Sequence, residues 1–324
     1  MPPVNRSASR AALASTCAAL SIMGGAACGA EPAPDLGAPV GGSSGAGGSS
    51  GATRPIESGP RYMGTLNNTA GCNREYTTSG FEPTSAPGTR HPLFLYFTGT
   101  NFLTDEATFR QQAAPAVSAV TETMARRGFV ALWVEYDNGG LAWASDHLNQ
   151  LDCLFGSGST SSVLAVACAL PQVDCGLGIA TWGHSQGGLV AHLAANYEPR
   201  VRAAWLTGYG GDARATLSKN RLRVVNGEGD TSNGTAAVLN EIAGFTAAEC
   251  PGDGRSECLR SDGSGWIVVR RADCRSTTAD HCWFEKRTCV DATTTLEPNW
   301  IDPSSTKPFA LEKNADWVAR TLRR

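Results

Sequence analysis

From about Pro60 onward, short apolar runs recur along the chain. Leu93–Phe97 and Phe129–Glu135 are rich in aromatic and β-branched residues, and Gly178–Trp182, Val201–Leu206, Leu222–Val225 and Trp266–Val269 continue the series. Runs this short, apolar at consecutive positions, have the pattern of strands buried on both faces. Between them Glu106–Arg127, Gln186–Tyr197, Ala213–Lys219 and Thr235–Phe245 read as helical. Strands alternating with helices predict an α/β fold, with a mostly parallel central sheet and helices on both faces.

The N-terminal pattern is of another kind. Arg6 and Arg10 precede a small-residue and apolar stretch from Ala11 to Ala27, closed by Cys28. A basic start followed by a short apolar core is the pattern of an export signal, too short and too rich in Ala, Gly and Ser for a membrane span. Residues 1–27 therefore read as a signal peptide, 28–60 as a flexible Pro/Gly/Ser-rich linker, and 61–324 as the folded domain. The segment ending at Cys28 resembles a bacterial lipoprotein precursor, although Gly25 stands where that motif usually has Leu, Val or Ile. The resemblance implies lipidation of Cys28 and membrane attachment through it, with simple cleavage near Ala27 as the alternative.

Composition narrows the classes. Hydrophobic residues make up 41% and charged residues 18%, and the formal net charge is -3. No dense Lys/Arg block occurs, so a nucleic-acid partner is not expected. Eleven cysteines without any C-x-x-C spacing fit disulfides in an oxidising compartment, and so an exported protein. Cys274, His281, Cys282 and Cys289 match no familiar zinc spacing, and no metal or organic cofactor is implied.

The candidate chemistry centres on Gly183-His184-Ser185-Gln186-Gly187, a G-x-S-x-G sequence. The same pattern occurs at Gly41–Gly45 and Gly47–Gly51 inside the linker. Only Ser185 follows a predicted strand and opens a predicted helix, the strand–turn–helix context of a nucleophile elbow. These features, with the strand order, resemble the α/β-hydrolase superfamily. The likeness runs from roughly His91 to Phe284 and is nearest in style to secreted bacterial serine esterases and lipases with a GHSxGG elbow. It implies that superfamily's fold and a serine–acid–histidine triad in that chain order.

A serine hydroxyl needs an imidazole base within hydrogen-bond reach. Of His91, His147, His184, His192 and His281, only His281 follows both the elbow and a later strand, as the superfamily order requires. Asp230, after Leu222–Val225, resembles the acid-bearing turn; Glu228 on the same turn and Asp212 after the preceding strand are alternatives. The resemblance implies oxyanion donors at the backbone N–H of Gln186 and, from the loop Thr98-Gly99-Thr100-Asn101, at Thr100. Cys274, Cys282 and Cys289 surround His281 in a segment with few apolar residues, and Cys250 and Cys258 precede it. At least one disulfide in this group is therefore expected to restrain the loop. Phe155 and the Gly156–Thr160 stretch lie in a long insertion before the elbow strand, read either as an overhang of the site or as ordinary packing.

Together these readings predict a serine hydrolase that cleaves carboxylic esters through an acyl-enzyme on Ser185. The partner would be a small-molecule, lipid or polymer ester. The same triad would serve an amidase, peptidase or acyltransferase; a non-catalytic cell-surface binding protein is the alternative from another class.

Overall fold

A computed structural model describes residues 59–70, 74–101, 106–136, 138, 145–156, 162–231, 244–245, 249, 256–275, 277–286 and 295–324. The segments read as signal peptide and linker, Cys28 included, lie outside the described residues apart from Gly59 and Pro60, as does most of the helix expected at Thr235–Phe245.

In chain order the strands of the main sheet are β1 (Arg61–Ala70), β2 (Arg74–Glu82), β3 (Leu93–Phe97), β4 (Val130–Glu135), β5 (Ile179–His184), β6 (Val201–Thr207), β7 (Leu222–Gly227), β8 (Glu257–Leu259) and β9 (Gly265–Val269). They form one nine-stranded sheet in the order β1-β2-β4-β3-β5-β6-β7-β9-β8. From β4 through β9 every neighbouring pair is parallel; β1 and β2 extend one edge antiparallel, and β8 closes the other antiparallel to β9.

Strand periodicity explains the layering. On β3, Leu93, Leu95 and Phe97 point to one face and Phe94 and Tyr96 to the other, and all five are buried. The first face packs against α2 (Ser145–Phe155), α3 (Val163–Cys168) and α4 (Gln186–Tyr197) through Leu154, Phe155, Leu164, Val190 and Leu193. The second is covered by α1 (Glu106–Arg126) and the C-terminal helix, through Val120, Met124, Leu311, Ala315, Val318 and Leu322. Burying one such side chain contributes roughly 1.5–3 kcal/mol. Phe155 is therefore core, with its ring 5.8 Å from that of Phe97, and not part of an overhang.

On the second face Trp133, Tyr96, Trp182 and Trp205 stand in register across β4, β3, β5 and β6. Tyr96 stacks on Trp182 at 4.2 Å and Trp182 on Trp205 at 4.5 Å.

Residues 213–219 are turns rather than the expected helix, with a single 3-10 turn at Lys219–Arg221. Side chains take the backbone amides that a helix would need. Asp212 accepts from the Arg214 N–H at 2.8 Å, and Asn196 accepts from the Thr216 N–H at 2.8 Å. The chain closes with β10 (Glu285–Lys286) paired to β11 (Thr295–Leu296), the short helix α5 (Pro298–Ile301) and α6 (Leu311–Leu322). Arg127, just past α1, is gripped by Asp316 and Glu312 of α6. This strand order, with helices on both faces, is the α/β-hydrolase fold.

Candidate active site

The parallel strands all end at one edge of the sheet, where the loops after β3, β5, β6, β7 and β9 meet. Ser185 lies between β5 and α4 with φ 52° and ψ -119°, a strained conformation for a residue with a side chain. Its neighbours make the turn feasible. A Cβ on Gly183 would lie 1.9 Å from the Gly187 carbonyl oxygen, and one on Gly187 would lie 2.2 Å from that of Phe97. Both positions exclude any other residue, so the sequence bends here because glycine lets strand, turn and helix approach so closely.

Asp230 and His281 are brought together. Asp230 Oδ2 lies 2.8 Å from His281 Nδ1, with the carboxylate fully buried and the imidazole 37% exposed. A carboxylate only accepts, so Nδ1 carries the proton and the lone pair of the neutral ring falls on Nε2. His281 sits beside the elbow: its ring centroid is 4.9 Å from that of His184. The other two acids are engaged elsewhere. Asp212 holds Arg214 at 2.6 Å and 2.9 Å, and its carboxyl is held below the usual range chiefly by that hydrogen bond. Glu228 accepts from the Arg271 N–H.

Thr100 and Gln186 also meet. The Thr100 hydroxyl donates to Gln186 Oε1 at 2.7 Å, and both residues are buried. A Cβ on Gly99 would lie 3.2 Å from Ser185 Cβ, so the loop after β3 runs against the nucleophile position. Two residues absent from the sequence reading fasten this loop. Asn138 Nδ2 donates to the Gly99 carbonyl at 2.6 Å, and the Asn138 carbonyl accepts from the Asn101 N–H at 2.8 Å. The Tyr136 hydroxyl donates to the Thr98 carbonyl at 2.8 Å; burial pushes this phenol well above its usual range, which keeps the donor protonated.

The remaining histidines are placed apart or otherwise occupied. His91 opens β3 at the opposite edge and contacts Ser85 Oγ at 3.0 Å. His192 is buried in α4 and accepts from the Asp212 N–H at 2.9 Å; burial lowers its pKa to about 4, against a smaller opposing effect of Asp212. The side chain of His147 lies outside the described residues.

The disulfide expected around the loop carrying His281 does not run through Cys274 or Cys282, while Cys258 of the same group is bonded. Cys274 and Cys282, the nearest described cysteines to His281, are thiols and not halves of a bridge. Among the described residues a disulfide joins Cys168 to Cys175, while Cys153 and Cys258 are also disulfide-bonded; Cys250 and Cys289 lie outside. Apolar burial and hydrogen bonds anchor the described part of the loop. Ala279, Trp283 and Phe284 are core residues, and Trp283 Nε1 donates to the Val225 carbonyl at 3.1 Å. Glu297, fully buried, accepts from the backbone amides of Arg275 at 2.8 Å and Thr277 at 3.1 Å.

Fold and elbow thus define a chain of the α/β-hydrolase fold with a serine at its strand-to-helix turn. No protein-family model matches the chain, and no curated protein matches it in sequence. Among solved structures it is similar to a hypothetical protein from Pseudomonas aeruginosa (20% identity, 48% of this chain and 44% of that one, TM-score 0.34). It is also similar to Est1E from Butyrivibrio proteoclasticus (17% identity, 70% and 91%, TM-score 0.40) and to an S-formylglutathione hydrolase from Agrobacterium tumefaciens (13%, 82% and 96%, TM-score 0.43). The chain spans less than half the length of the first of these.

Proposed function

We propose that the protein is a serine hydrolase that cleaves carboxylic esters through an acyl-enzyme on Ser185. The observation that carries this reading is the Asp230–His281 hydrogen bond beside a strained elbow serine. With Nδ1–H committed to Asp230, Nε2 of His281 acts as the base. It takes the Ser185 proton as Oγ attacks the ester carbonyl, and the buried carboxylate stabilises the imidazolium that forms. The tetrahedral oxyanion is received by the backbone N–H groups of Gln186 and Thr100, each donor contributing about 3–4 kcal/mol to the barrier reduction. The imidazolium returns its proton to the departing alcohol. Water then attacks the acyl-enzyme with the same base, releasing the acid and restoring Ser185.

Export goes with this proposal and is supported by the disulfides at Cys168–Cys175, Cys153 and Cys258, which suit an oxidising compartment. Lipidation at Cys28 is the proposed attachment, tested by mass spectrometry of the mature N-terminus.

The activity is tested with a fluorophosphonate probe and p-nitrophenyl esters of graded acyl length. Labelling confined to Ser185, lost in Ser185→Ala together with turnover, is the expected result. A Ser185→Ala protein that still hydrolyses the esters would overturn the proposal.

A further inference from the structure

We propose that His184 and Cys282 are a positioning pair that fixes the distance between the nucleophile elbow and the loop carrying the base; the inference rests on the hydrolase reading above. His184 precedes Ser185 and Cys282 follows His281, so a contact between them ties the two reacting residues through their chain neighbours. The contact is present: Cys282 Sγ lies 3.7 Å from His184 Nε2.

The direction of the bond follows from the other side of the ring. His184 Nδ1 is 3.1 Å from the Thr207 carbonyl, which can only accept, and 3.4 Å from the Thr207 hydroxyl, whose proton can go to the Gly183 carbonyl; the shorter, acceptor-only contact puts the proton on Nδ1. Nε2 then holds the lone pair and accepts from the Cys282 thiol. The imidazole is confined around this arrangement. Phe284 meets it edge to face at 4.9 Å, and a Cβ on Gly208 would lie 2.5 Å from its Cε1. His184 is buried, while Cys282 is only partly so.

Glu297 and Trp283 hold the loop from behind, and Asp230 holds the His281 ring from the side. The thiol–imidazole bond joins this loop to the elbow. The His184 and His281 rings, 4.9 Å apart and tilted by 50°, keep their spacing through this link. A base displaced from its nucleophile loses rate steeply, so a weak bond at this point acts on turnover more than on stability.

Three substitutions separate this role from packing. Cys282→Ser keeps an O–H donor, Cys282→Val keeps bulk without a donor, and Cys282→Ala keeps neither. Loss of one net hydrogen bond corresponds to about a tenfold change in rate. The expected result is kcat about tenfold lower in the Val and Ala variants, KM within about twofold, unfolding temperatures lower by no more than about 2–4 °C, and Ser within about threefold of the unaltered protein. Valine matching the unaltered protein while serine is worst would overturn the pair, because that order is set by packing. The second measurement uses a His184→Phe background, where Ser and Ala at position 282 should become equal; a persisting serine advantage would also overturn it. Ser185→Ala with residual turnover sinks the hydrolase reading itself, whereas an inactive Ser185→Ala beside a fully active Cys282→Val sinks only the pair.

Discussion

Replacing the three acids near the elbow one at a time gives a ranking that the geometry dictates. Asp230→Asn keeps the shape of a fully buried side chain but removes its charge at 2.8 Å from His281 Nδ1. A charged hydrogen bond of this kind is worth about 1.5–3 kcal/mol in the resting protein. During attack the carboxylate also faces a positive imidazolium, and the amide can present N–H to Nδ1 and so favour the wrong tautomer. The combined loss should approach 10⁴ in kcat, about 5.5 kcal/mol. Asp212→Asn disturbs an ion pair whose arginine is 57% exposed, worth less than about 1 kcal/mol, and should leave kcat within about threefold. Glu228→Gln removes charge from a carboxylate whose contact is the Arg271 amide, and Gln still accepts there, so its effect should be as small. Initial rates on one p-nitrophenyl ester, normalised to titrated folded protein, supply the ranking. A larger loss at Asp212 than at Asp230 would refute the reasoning.

Other outcomes follow from the same contacts. Ser185→Gly should abolish turnover yet raise the unfolding free energy by about 1 kcal/mol, because glycine relieves the positive φ; calorimetry on the variant checks this. Asn138→Ala unfastens the Gly99 carbonyl and should lower kcat about tenfold with little change in KM, measured on the same ester. His192, about 4 when folded against an ordinary 6.5, binds its proton more readily in the unfolded chain. Its contribution of about 3 kcal/mol is present in full above pH 6.5 and lost as pH falls through 4. Denaturant titrations across that window should show the loss, and His192→Asn, which keeps an acceptor for the Asp212 amide, should flatten it.

The central strands were legible because aromatic and β-branched runs bury both faces, and the elbow because its glycines sit between such a strand and a helix. The β1–β2 hairpin was not. Its residues are largely polar, and the register shift between Tyr62 and Thr65 breaks any alternation. Helix α6 carried a readable stripe at Leu311, Ala315, Val318 and Leu322, which the sequence reading passed over. The acid stayed open in the sequence, since Asp212, Glu228 and Asp230 all follow strands and only folding reveals that Arg214 and the Arg271 amide engage two of them. Asn138, Glu297 and the contact of His184 with Cys282 had no local signal. Each acts on a backbone or ring that the fold brings close across long stretches of chain.

The aromatic row across β4, β3, β5 and β6 gives the molecule an optical handle on its own construction. Two indoles 4.5 Å apart with planes 13° from parallel, and a phenol ring against one of them, couple their transition dipoles. The resulting near-ultraviolet circular dichroism depends on the spacing and angle of rings contributed by different strands. A one-residue slip of any strand would turn its ring to the opposite face of the sheet. The signal therefore reports strand alignment directly beneath the elbow, and it can be followed without label or substrate while variants of the loops above are compared.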